Sequence, residues 1–87
     1  MNWIEVKDRY PDTNGRYLVV VHGYTKHPYI ILAKFLTNLC DNPQFEYENY
    51  PEEPGFYECD GEGDWVIGDV THWMTLPSLP KKENKDD

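Results

Sequence analysis

Val70-Thr71-His72-Trp73-Met74-Thr75-Leu76-Pro77 is the stretch on which the reading of this chain turns. A β-branched start, a large aromatic and a closing proline describe a strand that cannot continue past residue 77. Strict alternation places Val70, His72, Met74 and Leu76 on one face and Thr71, Trp73 and Thr75 on the other. Both faces then carry a large apolar group, so this strand is expected to be covered on both sides.

Working outward, the segments before it read as further strands separated by turns. Gly55 to Cys59 and Trp65 to Ile67 flank the tight turn Asp60-Gly61-Glu62-Gly63-Asp64. Arg16 to His22 contains three valines in succession and is expected near the middle of the sheet. Tyr29 to Leu36 follows a Gly-to-Pro connection and should return as its antiparallel partner. A helix from Ile30 to Cys40 competes there, but Ile30-Ile31 and the short reach to Pro43 favour a strand. Asp12-Thr13-Asn14-Gly15 has the Asn-Gly pair of a tight turn. Trp3-Ile4-Glu5-Val6 alternates, with the Trp3 ring expected to cap the core. Pro43, Pro51 and Pro54 break up Asp41 to Pro54, which reads as a long surface loop with room for a short edge strand.

The fold expected is mainly β: one small antiparallel sheet of four to six short strands over residues 1–80, with a partly open barrel as one form it can take. Residues 81–87 are wholly polar and read as a disordered charged tail. The core expected is Trp3, Ile4, Val6, Leu18, Val20, Ile30, Leu32, Phe56, Trp65, Val70, Trp73 and Met74. Thirteen aromatic side chains among 87 residues let so short a chain assemble a core from few positions.

Charge is unevenly spread. Nine carboxylates and no Lys or Arg lie between Asp41 and Asp64, while the remainder holds seven acidic and eight basic side chains. That polarity argues against direct binding to a nucleic-acid backbone and permits a basic protein partner; solubility alone is the plainer reading. No apolar run approaches the ~20 residues of a membrane span, no charged-then-apolar leader opens the chain, and two cysteines are too few for a disulfide scaffold. The expectation is a cytoplasmic protein with reduced thiols and no membrane association.

Several of these residues form a recognisable pattern. Trp3-Ile4-x-Val6-x-Asp8-Arg9-x-Pro11, then Gly15-Arg16-Tyr17-Leu18-Val19-Val20, the Gly-rich turn before Trp65, and Val70-Thr71-His72-Trp73-Met74-x-Leu76-Pro77-x-x-Pro80 together resemble the domain of unknown function 551 family of bacteria and their phages and prophages. Thr75 stands where that family usually has proline. The resemblance implies a phage or prophage setting and a small β-rich fold, and it brings no known activity or catalytic residue.

For chemistry, no nucleophile has a recognisable base nearby, and neither a phosphate loop nor a Gly-x-Ser-x-Gly elbow is present. No catalytic residue, metal or cofactor is therefore assigned, and a non-enzymatic role is favoured. His22, His27, His72, Cys40 and Cys59 lack the close spacing of zinc ligands. Asp60-x-Glu62-x-Asp64 resembles the start of a calcium loop but has Trp65 at the sixth position and Thr71 at the twelfth. Two surfaces remain. Glu46, Tyr47, Glu48, Tyr50, Glu52 and Glu53 offer aromatic contact area beside negative charge, suited to a basic protein surface of a host; the plainer alternative is that the rings fold back over a thin core. His72 and Trp73 are the candidates for a small ligand or catalytic pocket, against a purely structural His72 hydrogen-bonded to backbone or a Thr hydroxyl. Self-association through an exposed strand edge is also open.

Overall fold

The computed structural model describes residues 2–23 and 26–77. Six strands form one antiparallel sheet: β1 (Ile4–Glu5), β2 (Gly15–Val21), β3 (Tyr29–Leu36), β4 (Gly55–Asp60), β5 (Gly63–Ile67) and β6 (Val70–Thr75). A 3-10 turn at Leu39–Asp41 and the helix α1 at Pro43–Tyr47 lie between β3 and β4. The tail expected at 81–87 falls outside the described residues.

The strand order is β1-β6-β2-β3-β4-β5, so the final strand sits between β1 and β2 rather than beside its predecessor. This order has a geometric consequence. In a flat sheet β5 and β6 would lie four spacings apart, roughly 19 Å. Only Gly68 and Asp69 connect them, and three Cα steps span at most about 11 Å. The sheet must therefore curl. Asp69 makes the reversal with φ 58°, in the left-handed region that Asp tolerates, and its carbonyl accepts the His22 N–H at 3.0 Å. Ile67 and Val70 are thereby brought onto the same core. The edge strands β1 and β5 do not pair, and the sheet stays open.

The core lies on the concave face. Tyr17, Val19, Val21, Ala33, Phe35, Phe56 and Trp73 are buried there, with Ile4, Val6, Ile31, Ile67 and Val70 packed around them. Tyr17 meets Trp73 and Phe35 edge-on at 5.3 and 6.1 Å between ring centroids, and Phe35 lies 4.9 Å from Phe56. Tyr10 stacks on Phe35 from the loop that covers this face.

This corrects the expected core. The residues of β2 and β3 that face inward are the odd-numbered ones, whereas Leu18 and Val20 are half-buried on the convex face and Ile30 and Leu32 are 58% and 48% exposed. The run Leu18–Val21 is apolar on both sides, so alternation alone does not choose a face, and the wrong choice moves every side chain across the sheet. Trp3 and Trp65 also stay outside the core, 38% and 43% exposed, while Phe56, Trp73 and Met74 are buried as expected. A bulge explains one more difference. Val20 pairs with His72 but Val21 with Val70, leaving Thr71 as the extra residue. Val70 therefore joins Trp73 on the core side, where strict alternation separated them.

The Asn14-Gly15 pair does not make a hairpin, because β1 pairs with β6. Asn14 acts through its side chain instead, its Oδ1 accepting the Thr37 N–H at 2.8 Å. The loop 7–14 is held by Trp73, whose Nε1–H donates to the Arg9 carbonyl at 2.9 Å while the Arg9 guanidinium lies 5.5 Å from the ring centroid.

Candidate functional site

The acidic, proline-punctuated stretch from Asp41 to Pro54 is not an irregular loop with an edge strand. It folds as a 3-10 turn followed by α1, and both ends of that helix are specified locally. Asn42 is the N-cap, its Oδ1 accepting the Gln44 N–H at 2.9 Å, and Pro43 occupies the first helical position, where a missing N–H costs nothing. At the other end Asn49 adopts φ 64°, the Asn49 N–H donates to the Glu46 carbonyl, and the Tyr50 N–H donates to the Phe45 carbonyl, both at 3.0 Å. That pair of bonds is a Schellman ending, and its usual hydrophobic contact is made by the Phe45 and Tyr50 rings at 5.1 Å. Asn42-Pro43 followed by Asn49-Tyr50 was the signal in the sequence for this helix.

The helix is fastened to the sheet's convex side. Phe45 is fully buried and meets the edge of Tyr57, which pairs with Lys34 on that face. Leu39 packs so tightly over Gly55 that a Cβ there would lie 2.8 Å from Leu39 Cδ1. Gln44 grips the outer edge of β5, donating from Nε2 to the Asp64 carbonyl at 2.6 Å and accepting the Asp64 N–H at 3.0 Å. It thus occupies the place of a neighbouring strand at that residue. Asn42 Nδ2 donates to Asp64 Oδ2 at 2.7 Å. That bond, followed by Cys59, holds the Asp64 carboxyl below the ordinary carboxylate range, against a desolvation that works the other way.

On this platform Glu46, Tyr47, Glu48, Glu52 and Glu53 are exposed, Tyr47 to 88%, while Tyr50 is half-buried. The structure brings several of them to one patch beside Cys40. Partial burial pushes the Cys40 thiol up, and Glu52, Glu46 and Asp41 push it further in the same direction. The thiol donates to the Tyr50 carbonyl at 3.1 Å. Glu53 contributes through its backbone, its carbonyl accepting the Leu39 N–H at 2.9 Å. The rings therefore divide: Phe45 and Tyr50 fold back onto the sheet, and Tyr47 stands out in solvent among carboxylates.

His72 and Trp73 do not share a pocket. Trp73 is buried in the concave core. His72 is half-buried on the opposite face, with Nδ1 2.9 Å from Thr71 Oγ1. It borders an open depression of about 450 Å³ lined by Glu5, Val6, Lys7, Val70 and Thr71. Among the described residues no three His, Cys, Asp or Glu side chains come together as metal ligands, and no helix is long and apolar enough to cross a membrane. Cys40 and Cys59 are both free thiols.

One group on the convex face was not singled out from the sequence. Lys34 Nζ donates to Cys59 Sγ at 3.0 Å, and this bond raises the Lys34 pKa. Arg16 lies directly opposite Lys34 across the β2–β3 ladder. The hairpin register would have paired them, but Lys34 lies outside the family pattern and Arg16 stands in it only as one position of a strand.

Fold and surface together define a small, mainly β scaffold that carries one clamped helix on its convex side. The chain matches the model of a protein family of unknown function, DUF551, over residues 2–81, and it belongs to that family. No curated protein and no solved structure matches it.

Proposed function

We propose that this protein is a non-enzymatic interaction module that binds a basic protein surface through Glu46, Tyr47, Glu48, Tyr50, Glu52 and Glu53. The observation that carries this reading is Tyr47, an aromatic ring almost wholly in water, held at the surface by a helix of five residues that is capped at both ends and clamped to β5. A ring displayed on a pre-organised element loses little freedom on binding, and the surrounding carboxylates favour encounter with positive charge. The sheet beneath is read as curled towards a partly open barrel. The setting proposed is cytoplasmic and phage- or prophage-associated, with a host protein as target, no direct contact with nucleic acid and no membrane. The alternative, a ligand or catalytic pocket at His72 and Trp73, would have to use the depression beside His72 alone.

The test is a tagged pull-down from bacterial lysate at low and moderate salt, with the parent, a variant in which Glu46, Glu48, Glu52 and Glu53 are all changed to Gln, and Tyr47→Ala. A basic partner should be held by the parent, more weakly as salt rises, and lost by both variants. Equal retention by all three, or no partner in any lane, would contradict the reading.

A further inference from the structure

A second surface on the convex side lies beyond Tyr57, the residue on which Phe45 of α1 packs. β3 is paired with β2 over residues 29–35 but with β4 only at Lys34, Phe35 and Leu36. Beyond that point the β4–β5 hairpin diverges, and from Tyr29 to Ala33 the β4-facing edge of β3 has no strand partner among the described residues. The opening is a cleft of about 220 Å³ lined by Arg16, Leu32, Lys34, Tyr57, Glu58 and Cys59. The β3–β4 ladder, whose last rung is Lys34 with Tyr57, closes one end of it.

Two features say what would fill it. A free edge flanked by exposed Ile30 and Leu32 accepts an extended chain, which satisfies the alternate N–H and C=O groups and lays apolar side chains on those residues. At the closed end Arg16 and Lys34 stand directly opposite each other. Like charges in that arrangement are unfavourable unless an anion joins them, and among the described residues neither has a carboxylate at ion-pair distance. That is unusual in a chain with sixteen acidic and eight basic side chains. Lys34 spends one donor on Cys59 and keeps two others.

We propose that this cleft takes the carboxy-terminal strand of a partner protein, added to the β3 edge with its terminal carboxylate beside Lys34 and facing the Arg16 side chain that also lines the cleft. A chain running into the closed end must stop there, and the two cations select a carboxylate for the stop. Glu58 on the cleft wall disfavours further acidic side chains upstream. The free edge is about 16 Å long at the rise of a strand, enough for a segment of roughly five residues.

The test is an NMR titration of the full chain with an acetylated pentapeptide of alternating Val and Thr ending in a free carboxylate. Amide shifts should move at residues 29–34 and 57–59. The same peptide with a C-terminal amide, and the Arg16→Gln variant with the acid peptide, should each bind about tenfold more weakly. A peptide N-methylated at alternate backbone nitrogens should not bind, because it cannot pair with the edge. Arg16 is exposed, so an unchanged spectrum of the free variant verifies its fold. Acid and amide peptides that bind alike, no binding at millimolar peptide, or shifts confined to α1 would overturn the proposal. So would a concentration-dependent dimer formed through β3, which would give this edge to a second copy of the chain.

Discussion

On β2, Tyr17, Val19 and Val21 are buried in the concave core, while Leu18 and Val20, alternating with them along the same strand, are only half covered on the convex face. The same holds on β3, where Ala33 and Phe35 are buried and Ile30 and Leu32 are not. The difference comes from curvature. Curling draws the inward residues of non-neighbouring strands together, so rings from β2, β3, β4 and β6 meet in one cluster. On the outside the same curvature spreads side chains apart and cover is partial: α1 lies over β4 and β5, and Met74, opposite Leu18, is buried on β6. The concave face holds most of the buried rings; the convex face keeps the surface proposed for recognition.

The largest expected effect is on the concave side. Trp73→Ala removes a buried ring, a hydrogen bond to Arg9 and the packing of Tyr17, and should cost about 3–5 kcal/mol in a urea melt. A variant that melts like the parent would break the account of the core. Gly55→Ala probes the seat of the helical segment. Its Cβ would meet Leu39, itself buried, and the overpacking should cost about 1–3 kcal/mol. An unchanged melting curve would mean that Leu39 is not fixed against β4.

Asn42→Ala sharpens the comparison further, because Asn42 both caps α1 and hydrogen-bonds Asp64. Loss of the cap should cost about 1 kcal/mol near neutral pH. The Asp64 carboxyl has a lowered pKa in the folded chain, so its stabilising contribution is present above the ordinary carboxylate value and disappears as pH falls through the lowered one. The variant should therefore lose less stability than the parent on acidification across that range, as measured by melting temperature against pH. A parallel loss in both would remove Asn42 as the cause. The smallest effect belongs to the convex strip: Ile30→Thr and Leu32→Thr should each change stability by no more than about 0.5 kcal/mol.

Much of the concave scaffold was legible in the sequence. Strand positions follow from β-branched and aromatic runs between turns, and Tyr29–Leu36 is a strand despite the helical character of Ala33 and Lys34. The face of each strand was not legible, because Leu18–Val21 is apolar whichever side is counted. Thr71 carries no mark of a bulge, so alternation in the sequence places Val70 and Trp73 on opposite faces. The helix is not legible from periodicity, because five residues are too few for a visible period. Its signals lay in its caps, Asn42-Pro43 and Asn49, which read as loop residues when the prolines around them are taken as breakers. Of the candidate site, the carboxylates and Tyr47 could be named from composition. That Phe45 and Tyr50 turn inward while Tyr47 turns outward required the helix.

The division between a concave core and a convex face left for the proposed recognition is tested most directly by neighbouring residues. Val19→Thr and Val20→Thr make the same change at adjacent positions of β2. Urea unfolding should show a loss of about 1–3 kcal/mol for Val19→Thr, which buries an added hydroxyl in the core, and about 0.5 kcal/mol or less for Val20→Thr. Equal losses, or the larger loss at Val20, would contradict the assignment.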